Sequence, residues 1–182
     1  MKALVTISIA VLLLCAPAMA DNHGVITAVA KAEETAPVTS DITLPAYGEW
    51  KHSFDAYESE SGKPNGAFRR ALSFHRAMEK EGIAADQVKT AIVVHGPAVF
   101  DVVKDARYGV KYQDEDGTPL RNQNYNNVAE LIARGAKIWV CGVAAAYHGV
   151  GNADLLEGVK MAPSGTVAHA ELQRRGYTIN PY

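Results

Sequence analysis

Apolar residues fall along this chain in short dense runs, separated by segments where they recur every three or four positions. The clearest run, Thr90-Ala91-Ile92-Val93-Val94, is wholly apolar or β-branched, as expected of a strand covered on both faces. Ala136 to Cys141 is a second run, Val159-Lys160-Met161-Ala162 a third, and Tyr177 to Asn180 a short last one; Trp50 to Ala56 predicts the first strand. Between the strands the period changes. Phe68, Ala71, Leu72, His75 and Met78 recur at helical spacing, with Arg69, Arg70, Arg76, Glu79 and Lys80 mostly on other faces and Gly82 as the stop. Val128, Leu131 and Ile132 mark another helix, entered through Asn122 to Asn127 and closed by Gly135. Ala98 to Lys104 is helical by pattern, and Val143 to Tyr147 and Asp154 to Glu157 predict short helices. Ser164 suits the N-cap of a helix from Gly165 to Arg175 that Gly176 ends. Ser59 to Gly66 reads as a loop, and Asp105 to Gln123 as polar and irregular.

Alternating helices and apolar strands call for an α/β layered domain with a mainly parallel sheet of about five strands. Ligands of such sheets bind beyond the carboxyl ends of the strands. Three of those ends carry notable residues: His95-Gly96, Cys141-Gly142 and Ala162-Pro163-Ser164.

The N-terminus has a different character. Lys2, the apolar stretch Ala3 to Cys15 and the small-x-small site Ala18-Met19-Ala20 read as a secretory signal peptide covering residues 1–20. The stretch is shorter than the roughly 20 residues a membrane span needs, and no later segment offers one. A lipoprotein reading of Cys15 meets Leu12-Leu13-Leu14 where a small residue is required. The mature protein is thus expected in a bacterial periplasm, with secretion as the alternative. Residues 21–45, rich in Ala, Thr, Val and Glu, predict a flexible arm, and 46–182 the folded domain. Removing residues 1–20 from the 182 leaves 162, enough for one domain with a proper core. Lys2 is the one charge lost, so the net charge moves from −2 to about −3. Neither this balance nor the placement of aromatic residues suits a nucleic-acid partner.

Cleavage also removes Cys15 and leaves Cys141 as a lone thiol. In an exported protein such a thiol is an inert core side chain, an intermolecular link or a reactive group. The reactive reading places it before a helix N-terminus, where free N–H groups favour a thiolate, with Gly142 permitting a tight turn and close approach of a substrate. The inert reading makes it a small hydrophobe ending a buried strand. His148, seven residues on, and His95, at another strand end, are candidate proton donors or charge partners. A metal site of His95, Cys141 and His148 has no close ligand pair behind it, and none is expected. His75 lies on an apolar helix face and reads as a hydrogen-bonded core histidine. His52 falls in the first strand, His23 in the arm, and His169 on the last helix is expected to be exposed. Asp114-Glu115-Asp116-Gly117 lacks the full calcium-loop spacing and reads as a solvated turn. No Gly-rich phosphate loop and no G-x-S-x-G elbow occurs, and no cofactor is expected.

Three stretches, in order, resemble the DsrE/DsrF-like family, which includes YchN-type proteins: Val93-Val94-His95-Gly96-Pro97-Ala98, Ile138-Trp139-Val140-Cys141-Gly142-Val143-Ala144-Ala145, and Gly158-Val159-Lys160-Met161 through Leu172-Gln173-Arg174-Arg175-Gly176-Tyr177. The resemblance runs from about Trp50 to the C-terminus. It implies a three-layer α/β/α domain assembled as a homotrimer or homohexamer. In the family's sulfur-relay members a cysteine after a strand accepts sulfane sulfur as a persulfide and passes it on, and Cys141 falls in that context. His95 and Gly96 would then lie near the thiol. The known relay is cytoplasmic, so the leader and the arm make this chain an exported member.

The function expected from these readings is a sulfur carrier or transferase. Cys141 would be the nucleophile, assisted by His95 or His148, and Gly96, Gly142 and Ser164 would border the substrate. Its partners would be small sulfur species or an acceptor thiol protein. The alternative is a non-catalytic binding or assembly module of the same fold with Cys141 structural.

Overall fold

The computed structural model describes residues 39–180, and from Ile42 onward the chain forms one compact unit. The expected leader, His23 and most of the expected arm lie outside the described residues. Among those described, five strands form one sheet: β1 Trp50–Ala56, β2 Val88–Val94, β3 Lys137–Cys141, β4 Lys160–Ala162 and β5 Thr178–Asn180. Their order is β4-β3-β2-β1-β5, and every pairing is parallel.

The helices are α1 Gly66–Lys80, α2 Asp105–Lys111, α3 Tyr125–Ala133, α4 Gly142–Tyr147 and α5 Gly165–Arg174. From β1 to β4 the chain steps in one direction across the sheet, and right-handed crossovers hold the intervening helices on one face. The return from β4 to β5 runs the other way, so α5 lies on the opposite face. Alternation along the strands supplies both faces. Phe54, Ile92, Val94, Ile138 and Val140 pack with α1 and α3 residues in the larger core. Ala91 and Val93 pack with Ala168, Leu172 and Tyr177 in the smaller one. This is the three-layer α/β/α arrangement.

On α1, Asn65 caps the first turn by accepting the Ala67 N–H at 2.8 Å. As its spacing implies, His75 is buried, with Nε2 2.9 Å from Thr90 Oγ1. Three local expectations change. Ala98 to Lys104 is not an α-helix; a 3-10 helix, Gly96–Val102, follows the turn at Gly96 and Pro97. Buried Asp101 fixes it by accepting from Ser59 Oγ at 2.8 Å and Asn65 Nδ2 at 2.7 Å. Asn122 Nδ2 clamps its far end, donating to the Asp101 and Val103 carbonyls. The polar stretch expected to be irregular contains α2, whose buried residues are Tyr108 and Gly109. Two buried positions in seven leave too narrow a stripe for periodicity to register. Asp154 to Glu157 is replaced by a 3-10 turn, Asn152–Asp154, after which Leu155 and Leu156 extend into the core. Ahead of β1, Leu44 packs against the cluster of Met78, Ile83 and Val88.

Candidate functional site

Parallel register places the three notable strand ends on one edge. Val94 pairs with Val140 and Cys141 with Ala162, so His95 and Cys141 stand one step beyond a paired position. Gly142 is required where the chain leaves β3, because a Cβ there would lie 2.7 Å from the Ala162 carbonyl oxygen. Cys141 is the N-cap of α4, and its Sγ accepts the Ala144 N–H at 3.4 Å. The residue is 8 % exposed. Gly165 opens α5 directly against it. A Cβ at Gly165 would lie 3.6 Å from Cys141 Cβ, 3.8 Å from Cys141 Sγ and 3.7 Å from His95 Cβ, so the thiol and the imidazole border the same small space.

Beside His95 stands a group that spacing along the chain does not reveal. Asp55, near the end of β1, faces away from the larger core, unlike its neighbours Phe54 and Ala56. His95 Nε2 lies 2.9 Å from each Asp55 oxygen, and His169 Nε2 lies 2.9 Å from Oδ1. Burial by itself would raise the Asp55 carboxyl. The hydrogen bonds from His169 and His95, with their charge, outweigh burial and hold it well below the usual carboxylate range. With Nε2 of His169 directed at Asp55, its Nδ1 is buried and has no hydrogen-bond partner among the described residues. Tyr57 lies against the outer face of His95, ring centroids 5.1 Å apart. Gly96, at φ +55°, makes room for it, since a Cβ there would meet the Tyr57 ring at 2.5 Å.

His95, Cys141, Ser164 and His169 line one open cleft of about 610 Å³, with Val143 and Gly165. Another hollow, about 510 Å³, lies on α1 between Arg69, Arg70 and Arg76 and is lined by neither cysteine nor histidine. The carboxyl edge of the parallel sheet thus holds a thiol and an imidazole, and α5 adds a second imidazole to the same cleft. The DsrE/DsrF-like family model matches residues 56–181. The chain belongs to the DsrE/DsrF-like family. Among solved structures it is similar to MTH1491, a protein of unknown function from Methanobacterium thermoautotrophicum, at 19 % identity and TM-score 0.51, covering 74 % of this chain and 100 % of that one. It is also similar to the ychN protein of E. coli at 14 % identity and TM-score 0.43, covering 73 % and 99 %. A comparison with curated proteins finds no match.

Of the candidate residues in this DsrE-like domain, the fold brings together Cys141, His95, Gly96, Gly142 and Ser164. Ser164 caps α5, its Oγ accepting the Val167 N–H at 3.1 Å, and also borders the cleft. His148 is not among the cleft residues. It is the C-cap of α4, about 10 Å along the axis from the N-cap, with its ring against Phe100 and Tyr147 and its carbonyl accepting from Arg107. His169 is not exposed as expected; its side chain is 22 % accessible and tied to Asp55. His52 is turned elsewhere, toward Phe54, Phe74 and Thr178. Asp114 forms the expected turn, its Oδ1 accepting the N–H groups of Asp116 and Thr118. Sequence reasoning missed Asp55. Its one signal is a carboxylate near the end of the first strand, between Phe54 and Ala56.

Proposed function

We propose that this protein is an exported, periplasmic sulfur carrier or sulfurtransferase in which Cys141 is the sulfur-bearing residue. The observation that carries the reading is the position of Cys141 at the carboxyl edge of β3, in a cleft shared with His95 and His169. Family membership supports it. In the first step the Cys141 thiolate attacks the outer sulfur of a persulfide donor, R–S–SH. The donor S–S bond breaks, R–S⁻ leaves with the electron pair and takes up a proton, and Cys141 becomes a persulfide. An acceptor thiolate then attacks the outer sulfur and Cys141 leaves as thiolate, with no net oxidation. His95, whose Nε2 is bonded to Asp55, is the group proposed to hold charge or move the proton. Val143 and Tyr147, exposed on α4, and Val167 on α5 offer apolar surface that a homotrimer or homohexamer would cover.

The test is intact mass after exposure of the purified protein to polysulfide. An adduct of one sulfur, about 32 Da, is expected on Cys141. No adduct, or an equal adduct on Cys141→Ser, rejects the proposal. The low exposure of Cys141 favours a second reading, a binding or assembly module with a structural thiol. Thiol titration without denaturant separates the two, because a core thiol reacts slowly and an activated one fast.

A further inference from the structure

We infer that Asp55, His95 and His169 form a binding site for a divalent first-row transition metal ion of the Zn²⁺ class. This inference does not depend on the sulfur chemistry proposed for Cys141. Three separate elements contribute: β1, the residue following β2, and the second turn of α5. His95 lies 40 residues from Asp55 and His169 lies 114 residues from it, yet one ligand atom from each falls within 4.8 Å of the other two. Both imidazoles turn the same ring nitrogen, Nε2, toward one carboxylate oxygen at 2.9 Å.

A tetrahedral ion with bonds of 2.0–2.1 Å holds its ligand atoms about 3.3 Å apart. The two nitrogen-to-oxygen spacings of 2.9 Å each need an opening of a few tenths of an ångström.

The donor set selects the class of ion. Two imidazoles and a carboxylate suit Zn²⁺ and its first-row neighbours, while Mg²⁺ and Ca²⁺ require mostly oxygen ligands. Access suits it too. The three side chains are 27 %, 31 % and 22 % accessible in the order Asp55, His95, His169, held by the fold but not sealed. His95 and His169 border the 610 Å³ cleft, so an ion enters from solvent and keeps a coordination position open on the cleft side. Three protein ligands and an open position describe a reactive metal site, as distinct from a closed structural one.

The experiment is calorimetric titration of the chelator-treated full chain with Zn²⁺, with Mg²⁺ as control. One Zn²⁺ per chain is expected and no Mg²⁺. Asp55→Asn and His169→Ala should each weaken Zn²⁺ binding at least about tenfold, while Cys141→Ser, which removes the thiol as a ligand, keeps one equivalent. Absence of Zn²⁺ binding, binding indifferent to Asp55→Asn and His169→Ala, or binding abolished by Cys141→Ser overturns the inference. Imidazole ¹⁵N spectra of the unmutated protein need no variant to fold. Zn²⁺ should move the Nε2 signals of His95 and His169 and leave those of His52 and His75 in place; movement of His52 or His75 instead overturns it. A persulfide-negative protein that still binds Zn²⁺ here rejects the sulfur reading and keeps this one.

Discussion

His169 Nε2 on α5 lies 2.9 Å from Asp55 Oδ1 on β1, with 114 residues of chain between them. The contact ties the helix that covers one face of the sheet to the strand next to β5. Removing the imidazole with His169→Ala is expected to lower the unfolding free energy by about 1–3 kcal/mol, the range for a hydrogen bond to a charged group that is partly buried. Urea unfolding at neutral pH measures it. An unchanged midpoint would show that the contact adds nothing.

Two glycines beside Cys141 should respond in opposite ways. At Gly165 an added Cβ meets Cys141 and His95 at ordinary contact distance. Gly165→Ala should therefore leave the unfolding free energy unchanged or raise it by up to about 1 kcal/mol, while slowing alkylation of the thiol by crowding it. At Gly142 the added carbon meets the Ala162 carbonyl at 2.7 Å, and backbone must shift. Gly142→Ala should cost about 1–3 kcal/mol. Equal midpoints for the two variants would contradict this account.

Gly96 combines a backbone demand with a steric one. It holds φ +55°, and a Cβ would meet the Tyr57 ring at 2.5 Å. Gly96→Ala should cost about 1–2 kcal/mol for the left-handed backbone alone and displace Tyr57 from His95. Thermal unfolding reads the first effect and tyrosine fluorescence the second. A variant as stable as the parent would argue against both.

Asp101 makes stability depend on pH. Burial pushes its carboxyl from 3.8 up to about 6, against the hydrogen bonds from Asn65 and Ser59 that would lower it. The folded state therefore holds a proton that the unfolded chain has released, and stability falls as pH rises from about 4 to about 6. At about 1.4 kcal/mol per unit the full effect is ~3 kcal/mol. Asp101→Asn should flatten this slope and raise stability at neutral pH, since an amide still accepts from Asn65 and the Ser59 hydroxyl rotates to accept from it. His75, lowered from 6.5 by burial, works in the opposite sense, with stability lost as pH falls below that value. The difference between parent and variant across pH 4 to 7 isolates Asp101, and parallel curves would refute the assignment.

Much of the fold was legible along the chain because it rests on local regularities. Dense β-branched runs marked β2 and β3, and the stripe from Phe68 to Met78 marked α1 with His75 on its buried side. Glycine and proline after Val94, Val140-Cys141 and Ala162 marked where strands end. From these followed the parallel α/β class and the placing of Cys141, His95 and Ser164 at strand ends. The helix α2 escaped because Tyr108 and Gly109 alone carry its burial. His169 was misjudged because its setting on the last helix gave no sign of a partner.

Local patterns along the chain dictate the set of strands, their apolar faces and the position of the thiol where β3 ends. Those properties depend on residues close together in the chain, where side-chain period and turn chemistry act directly. Tertiary structure alone decided which strands are neighbours and that α5 returns across the opposite face. It therefore decided that Asp55, His95 and His169 meet while His148 is carried away from Cys141 on α4. Convergence of that kind depends on sheet register and crossover handedness, which act on the whole sheet and leave no periodic trace at a single polar residue.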